Sequence, residues 1–296
     1  MIDYHAHLAP HAALAEAVSR KFMPFPAEDH WPVALTDIAG HRAEMAGNGI
    51  TTRYLSVPPI LYGYELGAAE QLAHVQGLND WVLEAASVPG FRPQGILPLG
   101  DADQTLAEIE RLAGLGVTSV AIGSHIAGKP LDAVPDSVWV AAGDAFDFIL
   151  LHPWKVRHGD LLGDLSLGNP IGNPVETTIA AARLISSGLL ARVPKLTLLL
   201  AHGGGALPYV LGRFSHAWTA GGSRTPDPAA GARQMRYDTV LFDPAQLKHL
   251  VDVVGMDQVM LGTDSPFDMS VTDPAALIRA AGFDPARFGG DHPRRA

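Results

Sequence analysis

Residues 196–205 read LTLLLAHGGG, an almost unbroken aliphatic run that stops abruptly in a histidine and three glycines. A run with no polar alternation fits a strand buried on both faces, as the strands of a parallel sheet are. Seven further runs share its form: MIDYHAH (1–7), TTRYLSVPP (51–59), PQGILPLG (93–100), VTSVAIGSH (117–125), DFILLHPW (147–154), YDTVLFDP (237–244) and QVMLGTDSP (258–266). Each is short, aliphatic or β-branched, and closes in polar, Gly or Pro residues. Helix start signals stand between them. Asn173-Pro174 with Glu176 reads as an N-cap, a proline at the first helical position and the glutamate of a capping box. Asp243-Pro244 and Asp273-Pro274 open PAQLKHLVDVV and PAALIRAA in the same manner. Strand and helix alternating about eight times over 296 residues predict a (β/α)8 barrel, a TIM barrel, as a single domain over residues 1–296. A doubly wound sheet is the alternative, but no G-x-G-x-x-G follows the first run. Residues 8–34 are long for a barrel loop and are expected to cover the mouth of the site.

The composition narrows the function. Hydrophobic residues make up 47% and charged residues 18%, ordinary values for a globular enzyme. No apolar run approaches the roughly 18 residues that cross a bilayer, so no membrane role is expected. The formal net charge of -10 repels nucleic acid and anionic lipid. With no cysteine there is no disulfide and no thiolate metal site, so a metal must be held by His, Asp or Glu. Ile2 already belongs to the first run, leaving no room ahead of it for a signal peptide, and a cytoplasmic location is expected.

In a strand, residues two apart share a face, so His5 and His7 should converge inside the barrel while Tyr4 and Ala6 face the helices. Asp3 should share the histidines' face, where it could hold a ligand imidazole. An isolated H-x-H is often just a hydrogen-bonded core pair. Here, however, His125, His152, His202 and Asp264 stand at four other strand ends, the C-terminal face where barrels build their sites. His125 has a bland alternative as a loop-bonding residue, and Asp264 as a helix N-cap before Ser265-Pro266. Imidazoles together with a carboxylate suit Zn²⁺, with Mn²⁺ or Fe²⁺ as alternatives such donors also accept.

D-x-H-x-H on strand one, H-P-W on strand five, A-H-G-G-G on strand six and G-T-D-x-P-F on strand eight together resemble the amidohydrolase superfamily, in its aminocarboxymuconate-semialdehyde decarboxylase-like branch. NPVETTIAAARLISSG and ALPYVLGRFSH are similar to that branch too, so the resemblance runs from Ile2 to about Phe267. It implies one divalent metal, usually zinc, on His5, His7, His152 and Asp264. It also implies His202 as the acid/base that is not a ligand, with Asp264 the other catalytic group. Two-metal members of the superfamily use a lysine at the end of strand four; here AIGSHIAGK has none before Lys129, which favours one metal. Arg213 matches a family arginine that reaches substrate from a neighbouring subunit, implying a homodimer. A second substrate arginine of the branch has no counterpart, since neither Arg20 nor Arg42 aligns with it. The tail FDPARFGGDHPRRA stops where relatives usually continue into a final helix, and His292 in it reads as solvent-exposed. The implied activity is non-oxidative decarboxylation of a small unsaturated or aromatic carboxylic acid. A hydrolase or hydratase on the same fold, or a silent metal-binding barrel, are the rivals.

Overall fold

The computed structural model describes residues 1–19, 31–157, 159–163, 165–222 and 227–291. Among these, all eight expected runs contribute strands: β1 (Ile2–Asp3), β2 (Thr52–Leu55), β3 (Phe91–Pro93, resumed at Gly95–Ile96), β4 (Ser119–Gly123), β5 (Phe148–His152), β6 (Leu198–Leu200), β7 (Arg236–Asp238) and β8 (Val259–Met260). Each pairs in parallel with the next. Interrupted at Gln94, β3 hands its first half to β2 and its second to β4; the Gln94 side chain donates to Ser119 Oγ at 2.7 Å across that step. Closure comes from β8 against β1, where Tyr4 N–H donates to the Leu261 carbonyl at 2.9 Å and Ala6 bridges Ser265. The fold is a (β/α)8 barrel.

Outside the strands run α1 (Ile38–Gly47), α2 (Ala68–Ala85), α3 (Ala102–Gly114), α4 (Asp136–Ala145), α5 (Asn173–Ser186), α6 (Leu207–Ala220), α7 (Pro244–Val254) and α8 (Pro274–Ala280). Every residue of β4 and β5 is buried, as the continuous runs require. Two of the three expected caps form: Asp243 accepts from Ala245 N–H at 2.7 Å and Asp273 from Ala276 N–H at 2.8 Å. The third does not. Asn173 is itself helical because a wide turn, Gly168–Gly172, runs directly into α5 and supplies the hydrogen bonds a cap would have made. Glu176 is thereby released to take Arg157, backbone N–H and guanidinium both, at 2.9–3.1 Å.

Of the expected cover at 8–34, the first part forms a helix, His11–Ser19, and the chain re-enters at a short turn, Val33–Thr36. Residues 20–30 of it, Arg20 included, lie outside the described residues, as does His292. No helix among the described residues is long and apolar enough to cross a membrane.

Strand one departs from simple alternation. Ala6 faces outward, packed with Met45, Leu55 and Phe91, as expected. Tyr4 does not: its ring meets Phe148 of β5 at 5.5 Å, and β1 and β5 stand on opposite sides of an eight-stranded barrel, so that contact is made across the lumen. Asp3 correspondingly turns out toward Arg53, which reaches His41 and Glu44 of α1. The slip falls between Tyr4 and His5, where Thr263 N–H and Asp264 N–H both donate to the His5 carbonyl, at 3.2 and 2.8 Å. Two residues of one strand opposing one of its neighbour make a bulge, a device that re-aims side chains beside functional sites. The extra residue here belongs to the segment after β8, opposite His5, while on strand one Tyr4 and His5 both point inward.

Candidate metal centre

From the bulge onward, His5 and His7 both enter the lumen at its C-terminal end. His152 arrives there as the last residue of β5, on the same face as Phe148 and Leu150. Asp264 comes from the segment after β8 with a left-handed backbone, φ 59°. Among the described residues these four form one group able to hold a metal, with one ligand atom from each lying within 4.8 Å of the others. His5 Nε2 is 3.1 Å from His7 Nε2, and Asp264 Oδ1 is 3.3, 3.1 and 4.0 Å from the Nε2 atoms of His5, His7 and His152. Ligand bonds of about 2.0–2.1 Å around a single ion place neighbouring donors at about these separations.

The outer ring nitrogens explain why Nε2 faces inward. His5 Nδ1 meets Asp238 Oδ2 at 2.7 Å, His152 Nδ1 meets the Pro153 carbonyl at 2.9 Å, and His7 Nδ1 meets Ser56 Oγ at 3.2 Å. A ring that donates through Nδ1 to a carboxylate or carbonyl keeps its Nε2 lone pair for a cation. Two buried atoms in the group, His152 Nε2 and Asp264 Oδ1, have no hydrogen-bond partner. Buried polar atoms are nearly always satisfied, and a divalent ion is the partner that fits a lone pair and an anion facing one point.

The electrostatics agree. Burial, joined by the rings of His202, His5 and His7, drives His152 well below its ordinary range, and burial lowers His7, so both rings are neutral and able to ligate. Burial opposes charge on His5 as well, but the carboxylates of Asp264 and Asp238 outweigh it and push that ring up to about 10. Burial likewise works against the Asp264 anion, yet the neighbouring histidines hold its carboxyl well below the usual carboxylate range. A cation held by the group would take the place of the His5 proton.

His202 stands just outside the four-atom group. Its Nε2 is 3.2 Å from Asp264 Oδ2, its ring lies 5.0 Å from that of His152, and its side chain is 15% exposed, so it alone among these imidazoles has appreciable access to solvent. The turn that carries it runs left-handed for four residues, from His202 (φ 56°) through Gly203, Gly204 and Gly205. Packing as well as conformation demands the glycines: a Cβ at Gly205 would lie 2.1 Å from the Pro174 carbonyl, and one at Gly203 2.5 Å from Leu241 Cδ2. His202 and Asp264 both border a cavity of about 700 Å³ that opens between the ends of β6, β7 and β8.

The remaining expected residues sort differently. The Asp3 carboxylate accepts from His5 N–H, Thr263 N–H, Thr263 Oγ1 and Arg53 Nε, at 2.7–3.2 Å; it pins the bulge and touches no imidazole. Asp238, which the sequence reading passed over, is the residue that holds a ligand ring. Its other oxygen accepts Gly203 N–H at 2.8 Å and so ties His5 to the turn that carries His202. The available signal was a lone carboxylate in the otherwise apolar run YDTVLFDP, at the same level of the barrel as the other strand-end residues. His125 stays out of the group: its ring bonds the Lys155 carbonyl at 3.0 Å and Gly128 N–H at 3.0 Å, the bland alternative. Arg213 is exposed on α6 and does not border the cavity.

A model of the amidohydrolase family matches residues 2–293. The chain is similar to a gamma-resorcylate decarboxylase of Polaromonas sp., 32% identical over 90% of this chain and 88% of that one. It is also similar to a 2-amino-3-carboxymuconate-6-semialdehyde decarboxylase of Dictyostelium discoideum, 29% identical over 80% and 68%. Among solved structures, dihydroxybenzoic acid decarboxylase of Polaromonas sp., with bound manganese, superposes with a TM-score of 0.82 at 23% identity, covering 97% of this chain and 92% of that one.

Proposed function

Since the chain belongs to the amidohydrolase family, we propose that it is a metal-dependent, non-oxidative decarboxylase of a small aromatic or unsaturated carboxylic acid. The observation that carries the reading is His202, open to the cavity and surplus to a buried group of three imidazoles and a carboxylate. Its relatives support the choice of reaction: the curated proteins described above are decarboxylases. We assign one divalent ion, zinc first and manganese or iron next, to His5, His7, His152 and Asp264. Held there, the ion would supply Lewis-acid polarisation of a substrate oxygen.

The chain's own residues do the rest. Asp238 fixes the His5 ring, and Asp264 orients His202 with Oδ2 while its Oδ1 would be free to hold the ion. His202 Nε2 delivers a proton to the carbon that bears the carboxylate. As the C–C bond breaks, its electron pair stays on that carbon and forms the new C–H bond, CO₂ departs, and the imidazole regains its proton from solvent. The buried walls keep bulk water from the metal face, while the cavity admits the acid and releases CO₂.

Protein loaded with one equivalent of Zn²⁺ or Mn²⁺ is expected to release CO₂ from at least one member of a panel of hydroxybenzoates that includes 2,6-dihydroxybenzoate. Chelation should abolish the release. Metal analysis showing two ions per chain, or full activity after chelation, would overturn the mononuclear assignment.

The proposal also places the enzyme in the cytoplasm as a homodimer, with Arg213 clamping the substrate carboxylate of the neighbouring subunit. Its exposed position away from its own cavity supports a role in trans. Mixed dimers of an Arg213→Ala chain and a His202→Ala chain are expected to regain part of the activity each homodimer lacks, because one hybrid site recovers both groups. Verified heterodimers without rescue would rule the role out.

A further inference from the structure

We propose that Phe242 selects aromatic substrates, its ring stacking on the ring of a carboxylic acid bound in the cavity that His202 and Asp264 also line. The assignment rests on the decarboxylase reading above and deepens it.

Phe242 lies in the loop between β7 and α7 with a left-handed backbone, φ 60°. For a bulky L-residue that conformation is a genuine outlier, and glycine or asparagine would hold it at lower cost. The ring gains little in return from folding, since Phe242 is 53% exposed and stands apart from the hydrophobic core. Its neighbours are firmly held. Leu241 fills the space against Gly203, its N–H donates to the Thr239 carbonyl at 2.9 Å, Asp243 N–H donates to the Leu241 carbonyl at 2.8 Å, and the Asp243 carboxylate caps α7. The loop therefore projects this one side chain from a rigid base.

What Phe242 does line is the cavity that His202 and Asp264 also border. Pro170, Pro174 and Pro208 supply flat apolar wall elsewhere in the same cavity. Strained residues that the surroundings over-determine concentrate at binding sites, and an aromatic ring on the wall of a cavity that a reactive imidazole also borders offers offset or edge-on packing to a second ring. Neither backbone economy nor core burial accounts for a phenylalanine at this place; recognition of an aromatic ligand does.

The test compares wild type, Phe242→Ala and Phe242→Gly, each loaded with metal, for calorimetric binding of 2,6-dihydroxybenzoate and of cyclohexanecarboxylate, a saturated ring of similar size. Thermal melting and oligomeric state are followed in parallel. Both variants are expected to bind the aromatic acid roughly 10- to 100-fold more weakly while binding of the saturated acid changes little. Phe242→Gly should melt at the same or a higher temperature, because the left-handed backbone suits glycine. Unchanged aromatic affinity would overturn the assignment. Equal losses for both acids with a fall in melting temperature would make Phe242 a packing residue, and a changed oligomeric state with affinity intact would make it an interface residue; either result overturns it too. If the metal-loaded wild type binds no hydroxybenzoate at all, the substrate reading itself fails and takes this assignment with it.

Discussion

Replacing His202 is expected to lower kcat by about 10² to 10⁴, the usual worth of a general acid/base, while leaving one metal ion per chain. The expectation divides labour between neighbouring imidazoles. His5, His7 and His152 present buried Nε2 atoms to one point, whereas His202 Nε2 turns to Asp264 Oδ2 and the cavity. That loss corresponds to about 3 to 5 kcal/mol of transition-state stabilisation. The backbone at position 202 is left-handed, so His202→Asn is the better probe than His202→Ala: asparagine tolerates that conformation but has no proton to transfer near neutral pH. Both variants should show the same deficit in kcat with metal retained. Loss of the metal from either would make His202 a ligand.

Removing the Asp238 carboxylate should weaken metal binding about 10- to 100-fold, the usual effect of losing the group that orients a ligand histidine. Asp238 Oδ2 fixes the proton of His5 on Nδ1, and Oδ1 satisfies Gly203 N–H and Val240 N–H, both buried. In Asp238→Ala those donors lose their acceptor, at about 1–3 kcal/mol each. Asp238→Asn is the sharper variant. Its carbonyl oxygen can keep Gly203 N–H, but its NH₂ then faces His5 Nδ1 and favours the tautomer with the proton on Nε2, the atom meant for the metal. Metal affinity in Asp238→Asn is therefore expected to be as low as in Asp238→Ala, or lower, despite better preserved stability. Competition of each variant with a calibrated chelator measures it; wild-type affinity in Asp238→Asn would separate Asp238 from the metal site.

How much of this could be read beforehand follows from which interactions are local. The barrel was legible because parallel strands covered on both faces leave continuous apolar runs, and LTLLLAHGGG or DFILLHPW reads as one without reference to its neighbours. The ligand positions were legible because His5, His7, His152 and Asp264 recur at strand ends. The direction in which Tyr4 and Asp3 point was not, since their partners Leu261 and Thr263 lie at the far end of the chain. Asp238 was missed for the same reason: its partner His5 lies 233 residues away, and nothing beside it in YDTVLFDP announces the contact. The false capping box at Asn173 shows the converse, a correct local motif overridden because the preceding turn had already supplied the helix with its hydrogen bonds. Phe242 has no signal in sequence at all; only its backbone angle and its place on the cavity single it out.

The fate of the substrate carbon tests the central claim most directly, because a decarboxylase and a hydrolase would share every residue described here. The metal-loaded enzyme should be run on an active hydroxybenzoate in D₂O and, separately, in ¹⁸O-water. The account predicts one CO₂ released per turnover and one deuterium on the carbon that bore the carboxylate, with no ¹⁸O fixed in the ring product. Incorporation of ¹⁸O into a newly formed carboxylate without release of CO₂ would contradict it and assign the barrel to hydrolysis.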